Sequence, residues 1–344
     1  MHFLINLESR MMGKNNIEKT YHVDLDVARG MMILLMVFRH AVNTTLPEDL
    51  PLYVYLYLIS DWFNMPFFMF ISGIVSAFSI KRLDVLSDFF SLLKSRAIRL
   101  LIPYFLFAGI VFAGKMLLQN VVTLEKPVSG FNALFMIILA PKQSSFGSYL
   151  WFVYVLFLFY FVVSLAKFLL KKNWMPVCLA LGFILQFVEG TDYLAIKQFN
   201  AYFFYFVFGN YVYKHYSSYL DFIQKYRYVF ILMLGLFIGV TSLVEMTPFI
   251  VGMLSLPVLH YFSRIDWVEN NCFLLLCGRY MYPIYLMNTF FINFFKMLYA
   301  CVFPLDGGSF LFFALLCIPV GVLGPYITQR MVIRRIPYLN TIIR

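Results

Sequence analysis

The 344-residue chain is 62% hydrophobic and only 13% charged, with a formal net charge of +10. A soluble domain holds about 45–50% apolar residues, so this chain cannot bury its apolar surface in a water-facing core and is read as an integral membrane protein. Its positive charges gather at the ends of apolar stretches, where membrane insertion accounts for them, and nucleic acid is excluded as a partner.

Residues 1–22 are polar and charged, without the short apolar core and small-residue cleavage site of a removed leader. They are read as a cytoplasmic segment, and the first span as its own insertion signal. Apolar stretches separated by polar breaks predict an all-α membrane bundle of about ten transmembrane helices, at roughly 24–43, 62–80, 98–118, 149–170, 175–189, 200–213, 228–244, 248–263, 274–297 and 310–329. The fifth, sixth and eighth are shorter than the ~20 residues a span usually needs. A further apolar piece, 131–140, is too brief to cross and is expected to be re-entrant or interfacial. With the N-terminus in the cytoplasm, 20 lysines and arginines fall on the inner side and 5 on the outer, which supports an even number of spans and two cytoplasmic termini. No repeat or appended domain is visible. Residues 1–344 read as one membrane domain with no fused extracytoplasmic domain, and the basic tail 330–344, "RMVIRRIPYLNTIIR", is expected along the inner leaflet. The five cysteines (Cys178, Cys272, Cys277, Cys301 and Cys317) have the spacing of neither a disulfide framework nor a zinc site, and no metal is expected.

Within the first span, "DVARGMMILLMVFRHAVNTT" (26–45), Arg29 and His40 are eleven residues apart. Eleven steps of 100° come within about 20° of three full turns, so both residues share one helix face about 16 Å apart. Ionisable groups in a span normally face the bundle interior and have a task there. Asp26 stands one turn before Arg29 and is placed to hold it. Arg39 points about 100° away from His40 and needs a partner that the sequence does not name. On spacing alone two readings stay open: a functional pair, or an arginine snorkelling to phosphates beside a packing histidine.

Five stretches in chain order resemble the membrane acyltransferase 3 family. "LDVARGMMILLMVFRHA" (25–41) is similar to the family's first-helix signature, an Arg or Lys, ten residues and a His. "WFNMPFFMFISGIVSAF" (62–78) is similar to its Met-Pro, Ser-Gly second helix. "KSRAIRLLIPYFLF" (94–107) resembles its Arg-x-x-Arg entry to the third helix. "SYLWFVYVLFLFYF" (148–161) and "GRYMYPIYLMNTFFI" (278–292) resemble the Leu-Trp-Phe and late Gly-polar helices. The chain departs from many members at Asn288, where they carry His, and from some at Asn64, so neither is given a catalytic role.

The resemblance implies transfer of an acyl group, usually acetyl from acetyl-CoA, to sugars of surface polysaccharides, peptidoglycan or small molecules. The natural setting it implies is a bacterial inner membrane. His40 is then the expected base or acyl acceptor. Arg29 would guide the donor or steady the oxyanion. Arg96 and Arg99, three residues apart at the cytoplasmic mouth of the third helix, suit coenzyme A phosphates. Trp151 and Tyr285 are candidates to stack on a sugar ring. Ser72, beside Gly73, is a weaker candidate whose plain reading is close helix packing. His260 and Pro257 are read as packing, and Glu189, Asp192 and Glu245, which border the outer side, either as acids that meet the acceptor or as solvated loop acids. The expected partners are acetyl-CoA, a sugar or polysaccharide acceptor and the lipid bilayer, with oligomeric state open. The competing classes are a glycan transporter or flippase, a polysaccharide polymerase and a non-catalytic assembly protein. Only the acyltransferase requires coenzyme A.

Overall fold

The computed structural model describes residues 22–42, 50–80, 83, 85–118, 130–131, 133–241 and 248–343, and every element among them is helical. The N-terminal segment apart from His22, the stretch 119–129 and Glu245 lie outside the described residues. In chain order the α-helices are α1 (Val23–Val42), α2 (Pro51–Ile80), α3 (Leu86–Arg96), α4 (Ile102–Leu118), α5 (Ala133–Leu139), α6 (Trp151–Leu170), α7 (Trp174–Leu185) and α8 (Ile196–Lys214). They continue as α9 (Tyr216–Lys225), α10 (Arg227–Thr241), α11 (Pro248–Ser263), α12 (Asp266–Glu269), α13 (Cys272–Arg279), α14 (Met281–Ala300), α15 (Gly307–Met331) and α16 (Pro337–Ile342).

The first helix is central. It packs against α2, α11, α13, α14 and α15, and Val27, Ala28, Met32, Ile33 and Val37 are all buried. Asp24 and Asp26 in its first turn and Arg39 and His40 in its last complement the helix dipole. Two glycine crossings set the closest approaches in the bundle. A Cβ at Gly30 would stand 2.1 Å from the Leu274 carbonyl oxygen, and one at Gly278 would stand 1.8 Å from that of Asp26, so α1 and α13 touch backbone to backbone. Gly73 and Gly209 do the same for α2 and α8, where added Cβ atoms would meet the Phe206 and Phe70 oxygens at 2.1 and 2.2 Å. Small residues permit such contacts in lipid, where packing replaces the hydrophobic effect between helices.

Each of the ten expected stretches contains a helix, but length and composition establish fewer crossings than ten. Four helical runs are long and apolar enough: Tyr53–Ile80, Leu86–Leu117, Ser148–Leu185 and Gly307–Arg335. A fifth counts if α9 and α10, bent by 71° at their junction, act as one span. Ser148–Leu185 takes two of the expected stretches as one run, Pro248–Ser263 is apolar but short, and further helices, α1 and α14 among them, are too polar to count. Asp24, Asp26, Arg29 and Arg39 lie in the 20 residues of α1, and α14 carries Asn288, Asn293 and Lys296.

Several boundaries also differ from expectation. α2 begins at Pro51 rather than near 62, because Asp61 does not break it but pairs with Arg39. The expected ninth span is two helices, broken at Tyr280. The piece at 131–140 forms the short helix α5, with Leu134, Phe135, Ile138 and Leu139 exposed. Between α3 and α4, Ala97–Leu101 form a π-helical turn in which the Ile102 N–H donates to the Ala97 carbonyl five residues back. Just beyond it, the buried Tyr104 hydroxyl donates to the Ile137 carbonyl of α5 at 2.6 Å.

Candidate active site

His40 stands in the last turn of α1 against α14. Its Nδ1 lies 2.6 Å from Asn288 Oδ1, with Thr289 Oγ1 at 3.3 Å. The Asn288 amide nitrogen donates to the Ile284 and Tyr285 carbonyls at 2.8 and 2.9 Å, so the amide oxygen is the end that faces the ring. An amide oxygen only accepts. Nδ1 therefore carries the proton, and the lone pair is left on Nε2 of a side chain that is only partly buried. The Tyr149 ring meets the imidazole edge-on at 6.5 Å. Its hydroxyl is buried and has no partner among the described residues.

Arg29 occupies the same face toward the other end of α1, where it pairs with Asp26 at 2.9 Å as the spacing predicts. It lines a cavity of about 130 Å³ with Ser72, Leu156, Tyr160 and Met281. Arg29 and His40 thus look toward the same neighbours at two levels: Met281 and Tyr160 at one, Asn288 and Tyr149 at the other. Arg96 approaches this cavity from behind. Its guanidinium lies 4.5 Å over the Tyr160 ring and donates to Ser79 Oγ, while its Nε is buried without a partner among the described residues. A buried unpaired donor is costly unless something fills its place.

The other candidates separate. Arg99 is exposed, and the wide turn at Ala97–Leu101 takes it off the inward side that Arg96 uses. The pair predicted to share one face is therefore split. Trp151 stacks on Tyr202 at 5.6 Å with the Lys142 ammonium 5.7 Å over its ring, and it is partly open. Tyr285 is 2% exposed, packs against Phe152 and donates to the Tyr149 carbonyl at 2.8 Å. It is placed as a core residue with no ring face open to a sugar. Ser72 reaches the small cavity, while Gly73 makes the tight crossing.

The missing partner of Arg39 is on α2. The guanidinium pairs with Asp61 at 2.9 Å, donates to the Tyr57 carbonyl and Ser60 hydroxyl, and lies 4.4 Å over the Tyr57 ring. Sequence reasoning gives Asn288 no catalytic role and does not single out Thr289 or Tyr149. The usable signal was a polar pair, Asn288-Thr289, inside an apolar helix.

A base-capable nitrogen with a fixed tautomer, a nearby unpartnered hydroxyl and two arginines one level below can remove a proton and hold negative charge. No curated protein and no solved structure matches the chain. Residues 22–330 match the profile of one family, described as an acyltransferase domain. The sequence motifs, the helical membrane bundle and this match agree: the chain belongs to the acyltransferase 3 family.

Proposed function

We propose that this protein is an O-acetyltransferase that moves acetyl from cytoplasmic acetyl-CoA to a hydroxyl of a cell-surface polysaccharide or its lipid-linked precursor. It acts as one membrane domain spanning the inner membrane of a bacterium about ten times, with both termini in the cytoplasm. The observation that carries the reading is the 2.6 Å contact between His40 Nδ1 and Asn288, because it frees Nε2 to act as a base.

In the proposed step, His40 Nε2 takes the proton of the acceptor hydroxyl as its oxygen bonds to the thioester carbonyl carbon. The carbonyl oxygen becomes an oxyanion, for which the Tyr149 hydroxyl is the candidate donor, while Arg29, about 16 Å along the helix, guides the donor arm. When the intermediate collapses, the C–S bond breaks and the sulfur leaves as a thiol, carrying the proton returned by the imidazolium. Arg96, with its unpaired Nε, holds donor phosphate. Trp151, stacked on Tyr202, offers an aromatic face to the sugar. The positive-inside distribution of lysine and arginine supports the orientation.

Mass analysis of surface glycans tests the reading. Cells lacking the protein should lose an acyl mass that the wild-type chain restores and the His40→Ala chain does not. An acyl mass restored by His40→Ala, with the variant present in the membrane, ends the proposal.

A further inference from the structure

A second and much larger cavity, of about 1210 Å³, lies beyond the one at Arg29. Both are lined by α2: Ser72 and Val75 face the small cavity, and Ala77 and Ile80 face the large one. The large cavity is lined by Lys167, Lys171, Lys172 and Lys214, and among the described residues by no carboxylate. Four ammonium groups, with the Asp24 carboxylate behind Tyr216 as a nearby acid, make a positive recess, and their convergence on one cavity goes beyond the scattered positives of span ends.

Local structure reinforces the arrangement. Lys167 is anchored by donating to the Ile80 carbonyl, while Lys171, Lys172 and Lys214 are exposed. Lys171 ends α6 with φ +50 and ψ −109, a backbone state that a side chain-bearing residue rarely adopts, and strain of this sort collects at functional sites. The first residues of α7 and α9, Trp174 and Tyr216, also line the recess, but so do the last turns of α2, α6 and α8, so the helix ends offset one another and the lysines set the charge. Apolar side chains, Trp174 among them, form the rest of the wall.

We infer that this recess binds a ligand carrying clustered phosphates joined to an apolar or aromatic body. That chemistry has two sources: the adenosine phosphates of a coenzyme A donor, or the headgroup of an anionic lipid. The first rests on the reaction proposed above, with the adenosine 3′-phosphate seated among the lysines, the pyrophosphate reaching Arg96 and the acyl arm running on along α2 toward Arg29. The second does not.

The test uses the full chain in phosphatidylcholine nanodiscs, with Lys171→Gln, Lys172→Gln and Lys214→Gln combined. All three side chains are exposed, so the variant should unfold at the wild-type temperature. Calorimetry with adenosine 3′,5′-bisphosphate forms one arm. Thermal stabilisation by added cardiolipin forms the other, and Lys225→Gln, which does not line the recess, serves as the charge control. A loss of bisphosphate affinity of about tenfold or more in the triple variant only, as expected for losing charge-assisted contacts, identifies the donor nucleotide. Loss of cardiolipin stabilisation alone identifies a lipid. Wild-type behaviour of the triple variant in both arms overturns the inference. If the triple variant loses binding while His40→Ala still transfers acyl groups, the recess stands and the proposed reaction falls. The converse result removes the recess and leaves the reaction.

Discussion

Two histidines contact groups on the first helix or belong to it, and they are built in opposite ways. His40 meets a neutral amide and stays partly open. His260, on α11, is fully enclosed. Its Nε2 lies 3.3 Å from the Asp24 carboxylate, which also accepts from the Tyr216 hydroxyl at 2.7 Å. The phenyl rings of Phe67 and Phe70 and the Tyr219 ring close around it. A catalytic base needs a free lone pair and a path for substrate. The His40 side chain is partly exposed, whereas the remaining nitrogen of His260, Nδ1, is sealed in with no partner among the described residues. On the proposed reading, the imidazole beside a carboxylate, the more catalytic-looking pairing, is the structural one.

Substitutions sharpen that contrast. The largest effect should come from His40→Ala, with turnover in a reconstituted acetyl transfer assay falling by about 10²–10⁴-fold, the usual worth of a general base, and thermal stability nearly unchanged. A fall of only a few-fold would move the base elsewhere. His260→Ala should do the reverse. Removing one member of a buried pair destabilises by about 3–5 kcal/mol because the other charge is stranded, so the unfolding temperature should drop while turnover per folded molecule holds. Loss of turnover in a fully folded His260→Ala protein would erase the distinction between the two histidines.

Asn288→Ala comes next. It leaves His40 in place but frees its ring, and misplacement of a reacting group by about 1 Å costs up to about 10²-fold. The effect should appear in kcat and not in KM for the acceptor, and Asn288→Asp, which keeps an accepting oxygen, should recover most of it. The smallest change should follow Arg96→Ala. Loss of one charge-assisted hydrogen bond, about 1.5–3 kcal/mol, should raise KM for acetyl-CoA at least about tenfold and leave kcat alone. An unchanged KM would detach Arg96 from the donor.

Much of this arrangement was legible before any coordinates. The 3.6-residue period put Arg29 and His40 on one face, and the i,i+3 rule gave Arg29 its partner Asp26. Those inferences hold because they are local to one regular helix. Asn288 was discounted, although it fixes the tautomer of His40 from 248 residues away, since tertiary proximity leaves no mark in periodicity. The expected second stretch starts at 62, after Asp61, whereas the structure carries the helix back to Pro51 with Asp61 paired to Arg39 across the α1–α2 interface. The shared face predicted for Arg96 and Arg99 assumed regular α-geometry through Ala97–Leu101, and a π-helical turn cannot be read from residue types. Tyr285 looked available because aromatic residues serve both cores and sugar sites, and only burial tells them apart.

That turn also gives the chain a spare residue. A helix tightened by one position between 97 and 101 would recover ordinary pitch and lose only the bulge. The same deletion a few positions later, past Ile102, would swing Tyr104 about a quarter turn off the Ile137 carbonyl it grips. The stretch that turns Arg99 away is therefore also the place in this helical run with slack to shed, and deletion of Leu101 should keep the bundle intact while bringing Arg99 back beside Arg96.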